Sequence, residues 1–369
     1  MRVAPFADRF HRVREQMHAV GIDILLVSVG PDLPYLTGYE AMPLERLTML
    51  VLPAEGEATL VVPRLEAPRV VDRPEFTLRP WGETEDPIGI VGGLVGAAGC
   101  LAIGDRTWAR FVVDLQVALP HAAWTKASVV LGPLRARKDA AEVEALRAAG
   151  AAADRVALAL QTGEIDLVGC TEAQVSAELG RRLRAEGHHR VNFAIVAAGA
   201  NAASPHHEPG ERVIVEGEGV LCDFGGTMFD ADGIGYCSDI TRCVHLGEPS
   251  EEMAEAYAVL LDAQQAAVAA AIVGTPCEEV DATARRIIAA AGWGDQFIHR
   301  TGHGIGIEEH EDPYIVTGND TPLEPGHAFS IEPGIYVEGQ FGFRLEDIVV
   351  ATEAGPDPLN RADHDLALL

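Results

Sequence analysis

The chain has 369 residues, a formal net charge of −28 at pH 7, and 48% hydrophobic residues. This length and composition favour two domains with sizeable cores. The sequence has no basic patch that could neutralise phosphate groups, which argues against nucleic acid as a partner. It has no run of about 18 apolar residues, which argues against a membrane span.

The acidic residues are concentrated in the second part of the chain. Residues 1–135 carry 16 acidic and 13 basic residues, whereas residues 136–369 carry 40 acidic and 15 basic residues. An acidic surface keeps a protein soluble, but some carboxylates can also serve a cation. The first twenty residues lack the apolar core of a secretory signal, and the six cysteines form no Cys-x-x-Cys pair. We therefore expect a cytoplasmic protein with reduced thiols.

Helices and strands alternate in the N-terminal part. Apolar residues recur at helical spacing from Phe6 to Met17, and Gly21 ends this predicted helix. Strands are predicted at residues 24–28, 48–52 and 59–62. This order indicates an α/β domain with a mixed or parallel sheet.

A glycine-rich segment at residues 89–96 resembles a nucleotide-binding loop only superficially. It lacks the GxGxxG spacing and a following Lys-Ser/Thr, so we do not expect a phosphate site there. The turn residues at 131–134 mark the predicted domain boundary, and no catalytic constellation precedes residue 135. We therefore assign one domain to residues 1–133 and a second to residues 134–369.

The C-terminal part contains one order of elements twice. Each copy has two helices, a loop with histidines, and a hairpin. The first copy is predicted as helices at 138–160 and 171–186 and strands at 220–226 and 236–246. The second is predicted as a helix from Ser250 to residue 272, a helix ending near Gly292, and strands at 328–337 and 343–351. Capping boxes at Thr171 and Thr275 open the second helix of each copy. The order indicates two related halves packed face to face, with sheets inside and helices outside.

Each predicted hairpin carries a pair of acids on apolar strands. Asp223 and Asp239 are centred on residue 231, within a strong turn signal, so they should face each other with Cβ atoms about 5 Å apart. Glu332 and Glu346 are centred on Gly339 in the same way. Like charges that face each other destabilise a sheet unless another group compensates them.

An imidazole completes this set of acids. His303 lies among three glycines in the segment 301–313, where another part of the chain should approach the backbone closely. Four carboxylates and one imidazole suit a pair of divalent cations, which can be Mn²⁺, Co²⁺, Fe²⁺ or Zn²⁺. The oxygen-rich set favours manganese.

The motifs around these residues together resemble the pita-bread metallopeptidases (M24 type), which include Xaa-Pro aminopeptidases, prolidases and methionine aminopeptidases. The motifs are Ser204-Pro205-His206, Asp223-Phe224-Gly225, YCSDITR at 236–242, GHGIGIEEHE at 302–311, IEPGIY at 331–336 and RLED at 344–347. The N-terminal half resembles the creatinase-type domain of the family through residues 35–38. The resemblance implies an α/β (α+β) fold with a creatinase-like N-terminal domain. A C-terminal pita-bread domain would follow, with pseudo-twofold antiparallel sheets covered by helices.

The resemblance also implies a metal site. Asp223 and Asp239 would hold a first ion, and Asp239 would also reach a second. His303 and Glu332 would complete the second site, and Glu346 would bridge the two ions. A hydroxide shared by the ions would attack the scissile carbonyl, with Glu332 as general base and then acid.

Other residues are implied to act on the substrate. In this family His206 and His310 contact the substrate and the tetrahedral oxyanion. His310 lies seven residues after His303, so the chain must turn between them or the two histidines must differ in role. Arg344 points the same way as Glu346 on a strand and either orders the site or binds substrate. His207 is interpreted as a loop histidine.

Several further acids surround His310, and the first hairpin has a long turn. We interpret Glu308, Glu309, Glu311 and Asp312 as structural or solvated residues. Asp223 and Asp239 lie 16 positions apart, which is longer than is usual in the family. The apparent insertion of about five residues within 226–235 bears on substrate access, because loops beside a site shape it.

The resemblance implies dinuclear-metal-dependent hydrolysis of the Xaa-Pro peptide bond. An N-terminal domain of about 130 residues favours Xaa-Pro peptidases over methionine aminopeptidases. Intact ligand positions argue against a metal-free creatinase-like enzyme and against a non-catalytic binding module. We expect an Xaa-Pro dipeptidase (prolidase) that cleaves small peptides with proline at the second position. The alternative is an Xaa-Pro aminopeptidase that acts on longer peptides. The family commonly forms homodimers.

Overall fold

The computed structural model describes residues 5–369, which divide into two compact units. One unit contains the residues up to Arg135 together with Ala231–Ile234, and the other contains the rest of the chain from Ala136. The predicted N-terminal domain starts at Met1, and its first four residues lie outside the described part. The predicted boundary segment, residues 131–134, lies inside a helix. The domain boundary after residue 133 stays a prediction.

Helices and strands alternate in the first unit, as predicted. The helices up to the boundary are α1 (Phe6–Val20), α2 (Asp32–Thr37), α3 (Pro87–Val95), α4 (Ala109–Ala118) and α5 (Ser128–Ala136). The strands are β1 (Ile24–Val27), β2 (Met49–Pro53), β3 (Ala58–Pro63), β4 (Phe76–Trp81), β5 (Cys100–Ile103) and β6 (Ala123–Lys126). They form a mixed sheet in the order β4-β3-β2-β1-β5-β6, in which β1 is antiparallel to β2 and parallel to β5.

Local sequence explains where two helices of this unit begin or end. Gly21 ends α1 with a φ of 71°, a left-handed conformation that glycine adopts without steric cost. The glycine-rich segment forms helix α3 and not a phosphate-binding loop. The Asp86 side chain caps this helix by accepting a hydrogen bond from the amide of Ile88, and Val91 and Val95 are buried.

The second unit has four helices among its described residues and three sheets. The helices are α6 (Ala140–Gln161), α7 (Glu172–Ala185), α8 (Glu251–Ala270) and α9 (Cys277–Ala290). The first strands are β7 (Arg190–Ala198), β8 (Gly219–Phe229) and β9 (Gly235–His245). The later strands are β10 (Gly302–Gly304), β11 (Glu311–Ile315), β12 (Ala328–Ile331), β13 (Gly334–Val337), β14 (Phe341–Arg344), β15 (Asp347–Thr352), β16 (Gly355–Pro358) and β17 (Ala367–Leu368).

The sheets of this unit are ordered β17-β9-β8-β7, β11-β10-β12-β15-β16 and β13-β14, and every pairing is antiparallel except β17 with β9. The predicted double order of two helices and a hairpin is confirmed. Helices α6 and α7 bury residues such as Leu179 against Phe224 and its sheet neighbours. Helices α8 and α9 bury residues such as Val280 against the sheet that contains Phe329. None of the helices between residues 5 and 369 has both the length and the apolar character needed to cross a membrane.

One of the two predicted capping boxes is wrong. The box at Thr171 forms and opens α7. Helix α9 begins at Cys277, with Pro276 as its N-cap residue and no side-chain capping hydrogen bond. The amide of Cys277 donates to the backbone carbonyl of Thr321 instead. A neighbouring loop therefore satisfies the helix terminus, so the side chain of Thr275 is not needed as a cap.

A buried arginine joins the first hairpin to the second half. Arg242 in β9 is fully buried, and its guanidinium donates to Asp347 Oδ1 and to the carbonyl of Glu346, both at 2.7 Å. Asp347 Oδ2 lies 3.0 Å from Gln264 Nε2 and 2.5 Å from His364 Nε2. Burial alone would raise the pKa of Asp347, but His364 and Arg242 lower it, so the carboxylate stays ionised.

We expect Asp347→Asn to lower the free energy of unfolding by about 3–5 kcal/mol, because it leaves Arg242 buried without its anion. Urea denaturation at pH 7 measures this loss. The control is Asp357→Asn, whose partner Arg147 and whose own carboxylate are about one-third exposed, and it should cost less than about 1 kcal/mol.

The same pair predicts a pH dependence. A carboxyl whose folded pKa is lowered stabilises the fold above its unfolded pKa of about 4, and this contribution is lost as the pH falls through the folded value. The difference between the native protein and Asp347→Asn should therefore shrink below pH 4. An equal cost for Asp347→Asn and Asp357→Asn at pH 7 would contradict the assignment.

Candidate metal centre

The first hairpin places its two aspartates on one face, as predicted, but not directly opposite each other. The register pairs Asp223 with Thr241 and Gly225 with Asp239, so the turn is centred on residue 232 and not on 231. The aspartates are diagonal neighbours, for which Cα atoms lie about 7–8 Å apart, and the expected facing pair at about 5 Å is wrong. The turn itself sets this register, with Gly233 at a φ of 81°.

The second hairpin has the predicted register. Strands β13 and β14 pair Gly334 with Arg344, and β12 and β15 pair Ile331 with Asp347. Both pairings are centred on Gly339, which has a φ of 72°. The turn predicted there is confirmed, and the register places the two glutamates across from each other.

Both long strands predicted for this hairpin are interrupted where their glutamates stand. Pro333 follows Glu332 and has no amide to donate to a strand partner. The backbone amide of Glu332 donates to the carbonyl of Thr301 at 2.8 Å, and that of Glu346 donates to Thr241 at 3.3 Å. The breaks therefore let one glutamate bind the histidine segment and the other bind the first hairpin.

The histidine segment forms a short strand and then turns back. His303 lies in β10, and Gly304 pairs with Glu311 at the start of β11. This turn brings the ring centroid of His310 to 3.9 Å from that of His303. The predicted close approach at the glycines is confirmed, because a Cβ atom on Gly302 would clash with the carbonyl of Ser330.

Three predicted ligands form a compact buried group. One donor atom each from Asp239, His303 and Glu346 lie within 4.8 Å of one another. His303 Nε2 is 3.9 Å from Asp239 Oδ2 and 3.2 Å from Glu332 Oε1. Three of the four predicted carboxylate ligands therefore lie around the imidazole of His303.

The fifth predicted ligand, Asp223, is held by Arg344. The buried guanidinium donates to Asp223 Oδ2 at 2.6 Å, to Thr241 Oγ1 at 3.1 Å and to the hydroxyl of Tyr336 at 2.9 Å. It also donates to the carbonyl of Pro205 at 3.2 Å. Burial opposes the charge of Arg344, but Tyr336 and Asp223 raise its pKa well above the ordinary value. Arg344 was predicted either to order the site or to bind substrate, and these contacts support the ordering role.

The buried carboxylates have too little positive charge near them to balance their own negative charge. Burial raises the pKa of Asp223, Asp239 and Glu346, and repulsion from neighbouring carboxylates raises these pKa values further. Oδ1 of Asp223 and Oδ1 of Asp239 are buried with no hydrogen-bond partner among residues 5–369. Buried unpaired oxygens are costly, and a divalent cation would satisfy them. The residues present therefore fit a metal site.

Glu332 differs from the other three acids. Burial alone would raise its pKa, but the hydrogen bond with His303 and the charges of His303 and His299 lower the pKa of Glu332 to about 2. Ser330 Oγ also donates to Glu332 Oε1 at 3.1 Å. Glu332 therefore carries its charge throughout the neutral range, as both a metal ligand and a general base require.

The histidines of the 204–207 loop have different environments. His207 Nε2 lies 2.8 Å from Glu172 Oε2, and Asn201 donates to the same buried carboxylate at 3.1 Å. His207 is thus a loop histidine, as predicted, and it anchors the loop. His206 is exposed and lies close enough to His310 to affect it electrostatically. His310 is exposed at its edge, but partial desolvation and the charges of neighbouring groups, His206 among them, lower its pKa to about 4.

Two contact residues were missed, although the period of a strand could have found them. Thr241 stands two positions after Asp239, and Ser330 stands two positions before Glu332, so each shares a strand face with a predicted ligand. Thr241 Oγ1 donates to Glu346 Oε2 at 2.7 Å, and Ser330 Oγ accepts from the amide of His303 at 3.1 Å. Both residues orient ligands through hydrogen bonds.

Comparison with known proteins agrees with this geometry. The chain matches the metallopeptidase family M24 over residues 144–353 and the creatinase/prolidase N-terminal domain over residues 9–137. The chain belongs to metallopeptidase family M24. It is therefore a hydrolase, and the predicted combination of a creatinase-like N-terminal domain with a C-terminal peptidase domain is confirmed.

Several relatives of this M24 peptidase are similar along almost their whole length. The probable dipeptidase PepE of Mycobacterium tuberculosis is 44% identical over 354 residues, which cover 95% of this chain and 92% of the relative. The Xaa-Pro dipeptidase of Lactobacillus helveticus is 37% identical, with 94% and 95% covered. The crystal structure of a prolidase from Thermococcus sibiricus superimposes with a TM-score of 0.92 at 36% identity and covers 100% of both chains.

The raised pKa values predict how metal ions affect stability. An acid whose folded pKa is raised binds its proton more tightly in the folded state, so stability without divalent ions should fall as the pH rises from about 4 to 7. Asp239→Asn removes one of these charges. In the presence of chelator at pH 7 it should be more stable than the native protein by about 1–3 kcal/mol.

The same variant should gain much less from Mn²⁺, because it lacks a ligand. Thermal unfolding with chelator and with Mn²⁺ tests both statements. The control is Asp262→Asn on the exposed side of α8, which should behave like the native protein in both conditions. A native-like gain in melting temperature with Mn²⁺ for Asp239→Asn would rule out Asp239 as a ligand.

Proposed function

We propose that this M24 peptidase is a dinuclear-metal-dependent Xaa-Pro dipeptidase, or prolidase. The observation that carries the proposal is the buried group of carboxylates around His303, with unpartnered oxygens on Asp223 and Asp239. The family is one of metallopeptidases, and its similar members include proteins named dipeptidase, Xaa-Pro dipeptidase and prolidase.

The proposed ligands divide between two ions. Asp223 and Asp239 would hold one ion, His303 and Glu332 would hold the other, and Asp239 and Glu346 would be shared. The oxygen-rich donor set favours Mn²⁺, with Co²⁺, Fe²⁺ or Zn²⁺ as alternatives. Divalent ions in such a site polarise the scissile carbonyl and make a water molecule acidic enough to react at neutral pH.

The side chains of the chain itself would move protons and bind substrate. Glu332 is ionised and would take a proton as general base, then return it to the departing proline nitrogen as general acid. Arg300 Nη2 can only donate and lies 3.5 Å from His310 Nδ1, so the proposal places the proton of neutral His310 on Nε2, where it can be donated. That donor would stabilise the oxyanion of the tetrahedral intermediate, and exposed His206 would contact the substrate.

The proposed substrate is a small peptide with proline at the second position. The names of the similar proteins support a dipeptidase over an aminopeptidase. A homodimer, manganese as the native metal and a cytoplasmic location remain predictions.

We expect Asp239→Asn to lower kcat/KM for Ala-Pro at least 1,000-fold, a loss of about 4 kcal/mol of transition-state stabilisation, because it removes a ligand common to both ions. Hydrolysis of Ala-Pro by the native protein should stop with chelator and return with Mn²⁺. Asp262→Asn serves as the control and should keep native activity. Activity of Asp239→Asn near the native level would contradict the dinuclear proposal.

The two peptidase types differ in whether a third residue is accepted. Ala-Pro should be cleaved much faster than Ala-Pro-Ala at equal concentrations, with released alanine as the measured product. Comparable rates of alanine release from the tripeptide would identify an Xaa-Pro aminopeptidase.

A further inference from the structure

A buried ion pair lies next to His310, outside the proposed ligand set. Lys138 Nζ is 2.6 Å from Glu311 Oε1, and the two side chains are 1% and 7% exposed. Lys138 precedes helix α6, and Glu311 begins β11, directly after His310. The pair therefore ties the residue that follows His310 to a distant part of the chain.

The lysine is unusual for this protein. Lys126 and Lys138 are its two lysines among 28 basic residues, and Lys126 is exposed. The pair fills the space that Gly306 leaves by having no side chain. A Cβ atom on Gly306 would lie 3.1 Å from Lys138 Cε and would clash with Glu311 Oε1. A compact ammonium on a thin stem suits this space better than a planar guanidinium does.

Both ends of the pair are fixed by the backbone. The amide of Lys138 donates to the carbonyl of Gly326 at 2.8 Å, two residues before β12. Glu311 is paired with Gly304 across the two short strands. The backbone therefore fixes the position of Lys138. Through the ion pair, Lys138 restrains Glu311 and with it the end of the loop that precedes Glu311.

Backbone hydrogen bonds anchor the beginning of the loop at residues 305–310. The amide of Ile305 donates to the carbonyl of Ala328 at 3.0 Å, and the amide of Cys237 donates to the carbonyl of Gly306 at 2.8 Å. These bonds hold the start of the loop. The end of the loop, where His310 lies, is held by the ion pair and by the contact between Arg300 Nη2 and His310 Nδ1.

We propose that the Lys138–Glu311 pair is a positioning device for His310. It fixes the end of the 305–310 loop so that the His310 ring stays 3.9 Å from that of His303. Apolar residues of similar volume stabilise a fold as well as a buried ion pair does, so stability alone does not explain these charges. The inference rests on the proposed function, because it assigns His310 a role in peptide hydrolysis.

The test is the double variant Lys138→Met/Glu311→Met, which removes both charges of the pair together. We expect it to fold and to bind Mn²⁺ within twofold of the native affinity, about 0.4 kcal/mol. Its kcat for Ala-Pro should fall at least tenfold. His310→Gln should then cost much less in this background than in the native protein, because His310 is already displaced.

A second readout does not depend on activity. Hydrogen exchange at the amides of residues 305–310 should become at least tenfold faster in the double variant, while exchange in β8 and β9 stays native. The matched control is Arg147→Met/Asp357→Leu, which removes an ion pair of the same unit whose side chains are about one-third exposed. It should change neither kcat nor exchange in this loop.

Gly306→Ala gives an independent test if the double variant does not fold. It keeps both charges but pushes them apart, and it should lower kcat and speed loop exchange in the same way. The inference would be overturned if the double variant kept the native kcat or the native rate of exchange in the loop. It would also be overturned if His310→Gln lowered kcat as much in the double variant as in the native protein. If the native protein does not hydrolyse Ala-Pro, the proposed function fails, and loop exchange still decides whether the pair positions His310.

Discussion

The mutual repulsion of buried carboxylates is the constraint on which the rest of the second unit depends. Asp223, Asp239 and Glu346 are each buried, and each has a raised pKa. Holding such groups together costs free energy unless a cation compensates them. Arg344 compensates part of this charge at Asp223, and the oxygens left without partners point to a divalent ion for the remainder.

The strands around these carboxylates explain how the side chains stay close together although they repel each other. Two hairpins from different halves of the unit approach each other through Thr241, which accepts the backbone amide of Glu346 and donates its hydroxyl proton to that side chain. Arg242 then fixes the same junction from the other face of β9 through Asp347. Asp223 and Asp239 therefore lie within strands, and Glu332 and Glu346 lie at short breaks between strands where backbone hydrogen bonds hold them. Such fixed positions are what a preformed metal site needs.

Sequence patterns were sufficient for much of this description. Alternating apolar residues and turn signals located the hairpins that carry the four acids, because strand period and turn chemistry are local properties. The glycines around His303 correctly indicated close backbone contact. The register of the first hairpin was predicted one residue away from its true centre, because several turn residues between 230 and 233 can each start a turn.

Features that depend on distant residues could not be predicted in this way. The breaks at Glu332 and Glu346 arise because their amides bind Thr301 and Thr241, which lie far away in the sequence. The absence of a cap at Thr275 also depends on a distant residue. The carbonyl of Thr321 accepts the hydrogen bond of the Cys277 amide at the start of α9. The pairing of Lys138 with Glu311 joins residues 173 positions apart, and no local pattern indicates it.

We propose that the buried carboxylates and His303 together hold two divalent ions. Anomalous X-ray diffraction from crystals of the protein grown with Mn²⁺ tests this most directly, because it locates metal without relying on activity. We expect two manganese peaks, one at Asp223 and Asp239 and one at His303 and Glu332, with Glu346 contacting both. The absence of any peak among these residues, or a peak only elsewhere on the protein, would contradict it.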